Sequence, residues 1–160
     1  MAQMGRPRTF DRDAAVDQAM HLFWEHGYQA TSLSQLKAGI GGGISAPSFY
    51  AAFGSKEALF EEVVERYMRT HGRVTESLFD STLAARDAVE LTLRRSARMQ
   101  CEAGHPRGCM VALGVIGVCT PEQGHSLLGA VRERTRNGLR ACIERAIDEG
   151  ELAADTDVQA

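Results

Sequence analysis

Residues 31–60 read TSLSQLKAGIGGGISAPSFYAAFGSKEALF, and this stretch decides the architecture. Thr31 and Ser32 are cap residues for a short helix carrying Leu33, Leu36 and Ile40 at helical spacing. The run Gly41-Gly42-Gly43 interrupts it, because each glycine inside a helix costs ~1 kcal/mol relative to alanine. A second short helix is expected from about Ala46 to Phe53, with Pro47 in its first turn, where the missing N–H costs nothing. Gly54 ends it, and Ser55 caps a longer helix whose apolar positions are Leu59, Phe60, Val63, Val64 and Tyr67. Phe49 and Phe53, four apart, face a core. Ser45, Ala46, Pro47, Ser48, Tyr50 and Ala51 are left for the outer face.

The flanking sequence continues the helical pattern. Upstream, Asp11 is placed to cap a first helix with an apolar stripe of Ala15, Ala19, Leu22 and Phe23, stopped at Gly27. Downstream, Ala85, Ala88, Val89, Leu93, Ala97 and Cys101 form one face of a fifth helix, broken at Gly104-His105-Pro106. The run Cys109–Val118 is apolar all round, which as a helix demands burial on most sides. Thr120-Pro121-Glu122-Gln123 is a helix-start signature for a last long helix reaching Glu149, with Leu127, Leu128, Val131, Leu139, Cys142, Ile143, Ala146 and Ile147. No alternating strand pattern exceeds four residues. The expected fold is all-α, with residues 1–54 as one helical domain and 55–160 as a second, joined through the fourth helix.

Composition limits the function classes. The chain has 160 residues, a net charge of −3 and 44% hydrophobic residues, the balance of a globular protein. Its longest apolar run falls well short of the ~18 residues of a membrane span, and the amino terminus lacks the apolar stretch of a secretory signal. A cytoplasmic protein with reduced thiols at Cys101, Cys109, Cys119 and Cys142 is expected, without membrane association. Charge is unevenly placed. Residues 1–56 carry five Lys or Arg against four acids, and no Asp or Glu occurs between Glu25 and Glu57. A surface free of carboxylates suits a phosphate backbone, which any unpaired acid would repel.

Two short helices about a tight turn, supported by a preceding helix, make a helix-turn-helix, whose second helix can enter the DNA major groove. Here that helix presents a small, hydroxyl-bearing, uncharged face. It fits close approach to phosphates and apolar contact with thymine methyl groups. With no Arg or Asn for bidentate base readout, much of the specificity would come from DNA shape.

Three segments, GRPRTF, FWEHGYQATSLSQL and ISAPSFYAAFGSKEALF, together resemble the DNA-binding domain of the TetR family of bacterial transcriptional regulators over residues 5–60. The resemblance implies a homodimeric, all-helical repressor of double-stranded operator DNA, whose carboxy-terminal domain binds a small-molecule effector and then releases DNA. It makes Thr31 and Ser32 phosphate-contacting caps, sets Ala46, Pro47 and Ser48 at the base edges with Ser45 on the same DNA-facing side, and gives Tyr50 and Lys56 phosphates to bind. Lys56 also opens a helix, where an ammonium beside free N–H groups is an anion site on physical grounds alone. Arg6 and Arg8 resemble a basic arm lying along the minor groove; a solubilising tail is the alternative. The sequence departs from the family in its three glycines, where one is usual. It also ends at Ala160, where the resemblance implies further helices, so dimerisation through the Thr120–Glu149 helix is one expectation and a truncated chain the other.

An effector pocket is expected among helices five to seven, lined by Leu91, Met99, Met110, Leu113, Ile116 and Leu128, for an apolar ligand. Cys109, beside Arg107, is the candidate redox thiol. The alternative function is a helical small-molecule-binding or thiol-sensing module without specific DNA binding. Cysteine and histidine spacing does not make a metal site, the glycine run lacks the context of a phosphate loop, and no nucleophile–base–acid trio is visible, so neither cofactor nor enzyme activity is expected.

Overall fold

The computed structural model describes residues 10–116 and 124–158; the side chains of 115, 116 and 124–126 also lie outside what it describes. The described residues contain seven α-helices and no strand: α1 Arg12–Ala30, α2 Leu33–Gly39, α3 Ala46–Phe53, α4 Lys56–Arg69, α5 Ala85–Cys101, α6 Met110–Ile116 and α7 Gly124–Asp148. A 3-10 segment, His71–Phe79, links α4 to α5.

Helix starts follow local chemistry. Asp11 accepts from the Ala14 N–H at 3.0 Å, Ser45 from Ser48 at 3.2 Å, and Ser55 from Ala58 at 3.0 Å. Ser32 and Gln35 form a reciprocal capping box on α2. The glycine turn is equally literal. Gly41, Gly42 and Gly43 all have positive φ, at 60°, 73° and 94°, a conformation that side chains disfavour. The Ile44 N–H returns to the Lys37 carbonyl at 2.8 Å, and the Gly41 N–H donates to Gln18 at 2.7 Å. The longer turn is therefore anchored to both α2 and α1.

One apolar cluster runs through the molecule. Val16, Phe23, Leu36, Phe49, Leu59 and Val63 bring α1 to α4 together, and Met110, Val111 and Leu128 extend the same cluster into α6 and α7. A smaller core of Leu78, Ala85, Ala88, Cys142 and Ala146 joins the 3-10 segment, α5 and α7. Arginines reinforce the amino-terminal unit. Arg12 forms a two-pronged ion pair with Glu62 and donates to the Ala52 carbonyl, while Arg66 of α4 holds Asp13 at 2.6 Å and Asp17 at 3.1 Å.

Three sequence expectations need correction. Gly27 does not end α1: it kinks the helix at φ 78°, ψ 164°, and a last turn continues to Ala30. In α5, Leu93 is 62% exposed and Ala97 and Cys101 are exposed as well. The buried face runs instead through Ala85, Ala88, Thr92 and Met99. Thr92 can be buried because its hydroxyl meets that of Ser77 at 2.6 Å, so the polar atom is satisfied. In α6, Met110 and Val111 are buried, but Ala112 and Leu113 face outward, because the helix packs against α1 and α7 on one side.

Candidate nucleic-acid interface

The expected outer face of α3 is outward. Ser45, Pro47, Ser48 and Ala51 are exposed, Ala46 is half-buried, and Tyr50 is 51% exposed. Phe49 and Phe53 anchor the opposite side, with ring centroids 5.4 Å apart. The Ser45 and Ser48 hydroxyls lie 2.8 Å apart at the start of the helix. The face thus offers hydroxyls and apolar edges on a fixed support, which suits phosphate oxygens and thymine methyls.

Lys56 opens α4 beside this face. Its ammonium sits 4.3 Å above the Tyr28 ring, in cation–π geometry. Burial lowers its pKa, and Glu57 opposes that shift. The Tyr28 hydroxyl donates to Glu57 at 2.9 Å. Glu57 is held below the usual carboxylate range, first by its own backbone N–H and then by Tyr28 and Ser55. Burial and the bond to Glu57 push the Tyr28 hydroxyl's pKa up, so it stays a donor. Tyr28 therefore positions both charges at the head of α4, a role that sequence reasoning missed; the Tyr-x-x-Thr spacing in front of α2 carries no such signal.

The candidate phosphate contacts separate. Ser32 is exposed at the start of α2, whereas Thr31 is fully buried. The Thr31 hydroxyl donates to the Gly27 carbonyl at 2.7 Å, with the Leu22 carbonyl 3.3 Å away. The Gly27 carbonyl also accepts the Thr31 backbone N–H at 3.2 Å. The expected side-chain contact from Thr31 to phosphate is corrected accordingly: that hydroxyl is turned inward and already used. Arg6 and Arg8 lie outside the described residues. Asp11 is engaged as the cap of α1, and Asp13 and Asp17 within it by Arg66, which reduces their repulsion of an approaching polyanion.

Of the expected effector residues, Met99, Met110 and Leu128 share the main core, and Leu91 is half-buried on α5. Met99 lines a cleft of about 440 Å³ between the 3-10 segment and α5, together with His71, Val74, Arg95 and Arg98. Leu113, 43% exposed, lines a different cleft of about 540 Å³ with Trp24 and His105. The Ile116 side chain lies outside the described residues, as does the expected Thr120 helix start. Cys109 is half-buried, and the Tyr67 hydroxyl donates to its sulfur at 3.3 Å. No group of three or more metal-ligating side chains occurs among the described residues, and no helix among them is long and apolar enough to cross a membrane.

A profile described as bacterial regulatory proteins, tetR family, matches residues 15–63, which hold α2, α3, most of α1 and the first half of α4. Over 124 residues the chain is 40% identical to the HTH-type transcriptional repressor ComR of Escherichia coli (strain K12), covering 75% of this chain and 56% of that protein. It is 33% identical over 111 residues to the repressor BdcR of the same strain, covering 69% and 55%. The chain thus spans little more than half the length of these curated relatives. Among solved structures, a cysteine mutant of the TetR family transcriptional regulator CifR, complexed with 26-bp double-strand operator DNA, superposes with a TM-score of 0.80 at 40% identity, covering 96% of this chain and 80% of that one. The regulator PfmR from Thermus thermophilus gives a TM-score of 0.65 at 27% identity, covering 94% and 77%.

Proposed function

The chain belongs to the TetR family of bacterial regulatory proteins, and on that premise we propose that it is a cytoplasmic, non-enzymatic transcriptional repressor. It binds double-stranded operator DNA as a homodimer and leaves it when a small effector binds. The carrying observation is the face of α3: small and hydroxyl-bearing, firmly anchored by Phe49 and Phe53, and next to Lys56 in a stretch of sequence that holds no carboxylate from residue 26 to 56. Ser32, Ser45, Tyr50 and Lys56 bind phosphates. Ala46, Pro47 and Ser48 lie at the base edges, where Ala46 and Pro47 act by shape. Residues 1–54 serve as the DNA-binding domain and 55–160 as the effector and dimerisation domain.

The signal passes through α4, whose Leu59, Phe60, Val63, Val64 and Tyr67 share a core with both α1 and α6. Lys56 stands at the DNA end of that helix, so tilting its far end moves α3. In a dimer, such a tilt changes the separation of two recognition helices that must match half-sites ~34–36 Å apart. A gel-shift assay on the DNA upstream of the protein's own gene, at low and high salt, tests the reading. Retardation at low salt that weakens as salt rises is expected; no retardation at low salt removes it.

A further inference from the structure

Phe10 stands just ahead of α1, directly before its cap Asp11. An apolar residue in that place ordinarily packs on the fourth residue of the helix it precedes. The ring of Phe10 reaches further. It meets Phe53, the last residue of α3, in an edge-on contact with ring centroids 6.0 Å apart and planes at 72°. The same ring lies on the glycine turn that leads into α3. A Cβ at Gly41 would stand 3.0 Å from its Cε2 and 3.2 Å from its Cδ2, so a side chain at 41 would force the ring to give way.

Both ends of α3 are thus held from the start of α1. At the entry, Gly41 is enclosed between Phe10 and Ile44, whose Cγ2 would stand 3.1 Å from the same Cβ, and the Gly41 N–H donates to Gln18 of α1 at 2.7 Å. At the exit, Arg12 Nε donates to the Ala52 carbonyl at 3.3 Å, and its guanidinium lies 5.2 Å from the centre of the Phe53 ring. Arg12 is in turn fixed to Glu62 of α4 by its two-pronged ion pair. Phe10 touches the entry and the exit together. With eight residues, α3 is about 12 Å long, so a displacement of about 1 Å at one end turns its axis by about 5°. Phe10 is 38% exposed and stands outside the main buried core, so what it supplies is less burial than angle.

We propose that Phe10 is a positioning residue for DNA recognition, whose ring sets the angle at which α3 presents Ala46, Pro47 and Ser48 to the base edges. It acts through the glycine turn and through Phe53. This role presupposes operator binding, and so rests on the repressor reading. Contacts made by shape tolerate little tilt, because dispersion attraction fades within a gap of about 1 Å. Ser32 and Lys56 stand on other elements, at the cap of α2 and the head of α4, and a phosphate contact there carries no sequence information. Loosening α3 therefore costs sequence preference and leaves backbone binding in place.

The parent chain first enriches its preferred duplex from a randomised pool. Fluorescence anisotropy then gives each variant's affinity for that duplex and for a scrambled one, with a thermal melt alongside. Phe10→Ala should bind the preferred duplex about tenfold more weakly, the worth of one base-edge contact, and the scrambled duplex as the parent does. Phe10→Tyr, which keeps the ring, should restore the preference. A lower melting temperature with an unchanged ratio of the two affinities would mean packing alone, and overturns the proposal. Failure of Phe10→Tyr to restore the ratio overturns it as well. Should Phe10→Ala not fold, Phe10→Leu, which keeps apolar bulk without the flat ring, is read in its place: a lowered ratio supports the proposal and a ratio equal to the parent's overturns it. A parent that enriches no sequence overturns the repressor reading and this role with it. A parent with a clear preference that the variants leave intact overturns the role of Phe10 alone.

Discussion

Replacing Lys56 with alanine separates what this residue does for the fold from what it does for DNA. Its ammonium sits 4.3 Å above the Tyr28 ring, and no acid makes a salt bridge to it among the described residues. Losing that cation–π contact costs stability by ~0.5–1 kcal/mol, the range for accessible sites. The DNA effect is larger and of another kind. A hydrogen bond to a charged partner is worth about 1.5–3 kcal/mol, and for a half-exposed lysine the low end applies, on the order of a tenfold loss of affinity at low salt. One fewer neutralised phosphate lowers the slope of log K against log salt by about 0.9. Between 50 and 200 mM salt, the variant should therefore lose roughly 3.5-fold less affinity than the parent does. Fluorescence anisotropy with operator and scrambled duplexes, at both salt concentrations, measures every term. The loss should be the same for both duplexes, since a phosphate carries no sequence information. An unchanged salt slope, or a loss confined to the operator, would refute the placement of Lys56 on the DNA backbone.

Other substitutions probe other layers of the account. Ala46→Arg should change which operator is preferred more than it changes total affinity, because a new bidentate donor to guanine is worth ~1–3 kcal/mol at one base; selection from a randomised duplex pool reads this out. Gly43→Ala meets no atom within 4 Å but forces φ of 94° on a residue with a Cβ, so it should cost ~1–2 kcal/mol in urea denaturation and weaken DNA binding by shifting α3 against α2. Ser77→Ala or Thr92→Val alone strands a buried hydroxyl and should cost ~1–3 kcal/mol, whereas the double variant should cost less than the sum; a double-mutant cycle checks this. His71 has a pKa below its ordinary value of 6.5 because burial disfavours its charged form. The folded state then binds fewer protons than the unfolded state, so this contribution is complete above 6.5 and is lost as pH falls through the lower, folded value. Thermal melts across that range should show His71→Phe with a flatter fall on the acid side than the parent.

What the sequence disclosed and what it withheld divide along a physical line. The caps at Asp11, Ser32, Ser45 and Ser55 act within three residues of themselves, so the starts of α1 to α4 were legible from local chemistry. The outer face of α3 followed from the spacing of Phe49 and Phe53. Burial along α5 was not legible, because the partner that makes Thr92 tolerable is Ser77, fifteen residues back in a 3-10 segment that no periodicity announced. Thr31 was misread for a related reason. As a cap-type residue it suits an exposed helix start, but it closes the end of α1, where its hydroxyl is buried against the Gly27 and Leu22 carbonyls. Lys56 was identified from its position, yet Tyr28, which holds it and engages Glu57, comes from a different helix. The ring of Phe10 likewise reaches Gly41 and Phe53 across more than thirty residues, a convergence visible only once the helices are packed.

The central claim is that the surface formed by α3 and the head of α4 is what meets DNA. Amide hydrogen exchange, followed by mass spectrometry with and without a bound operator duplex, tests it most directly. Slowed exchange concentrated in residues 45–56, with a smaller effect at the start of α2 and the 3-10 segment unchanged, is the predicted result. Protection confined to α5, α6 and α7, with α3 exchanging as in the free protein, would contradict the account.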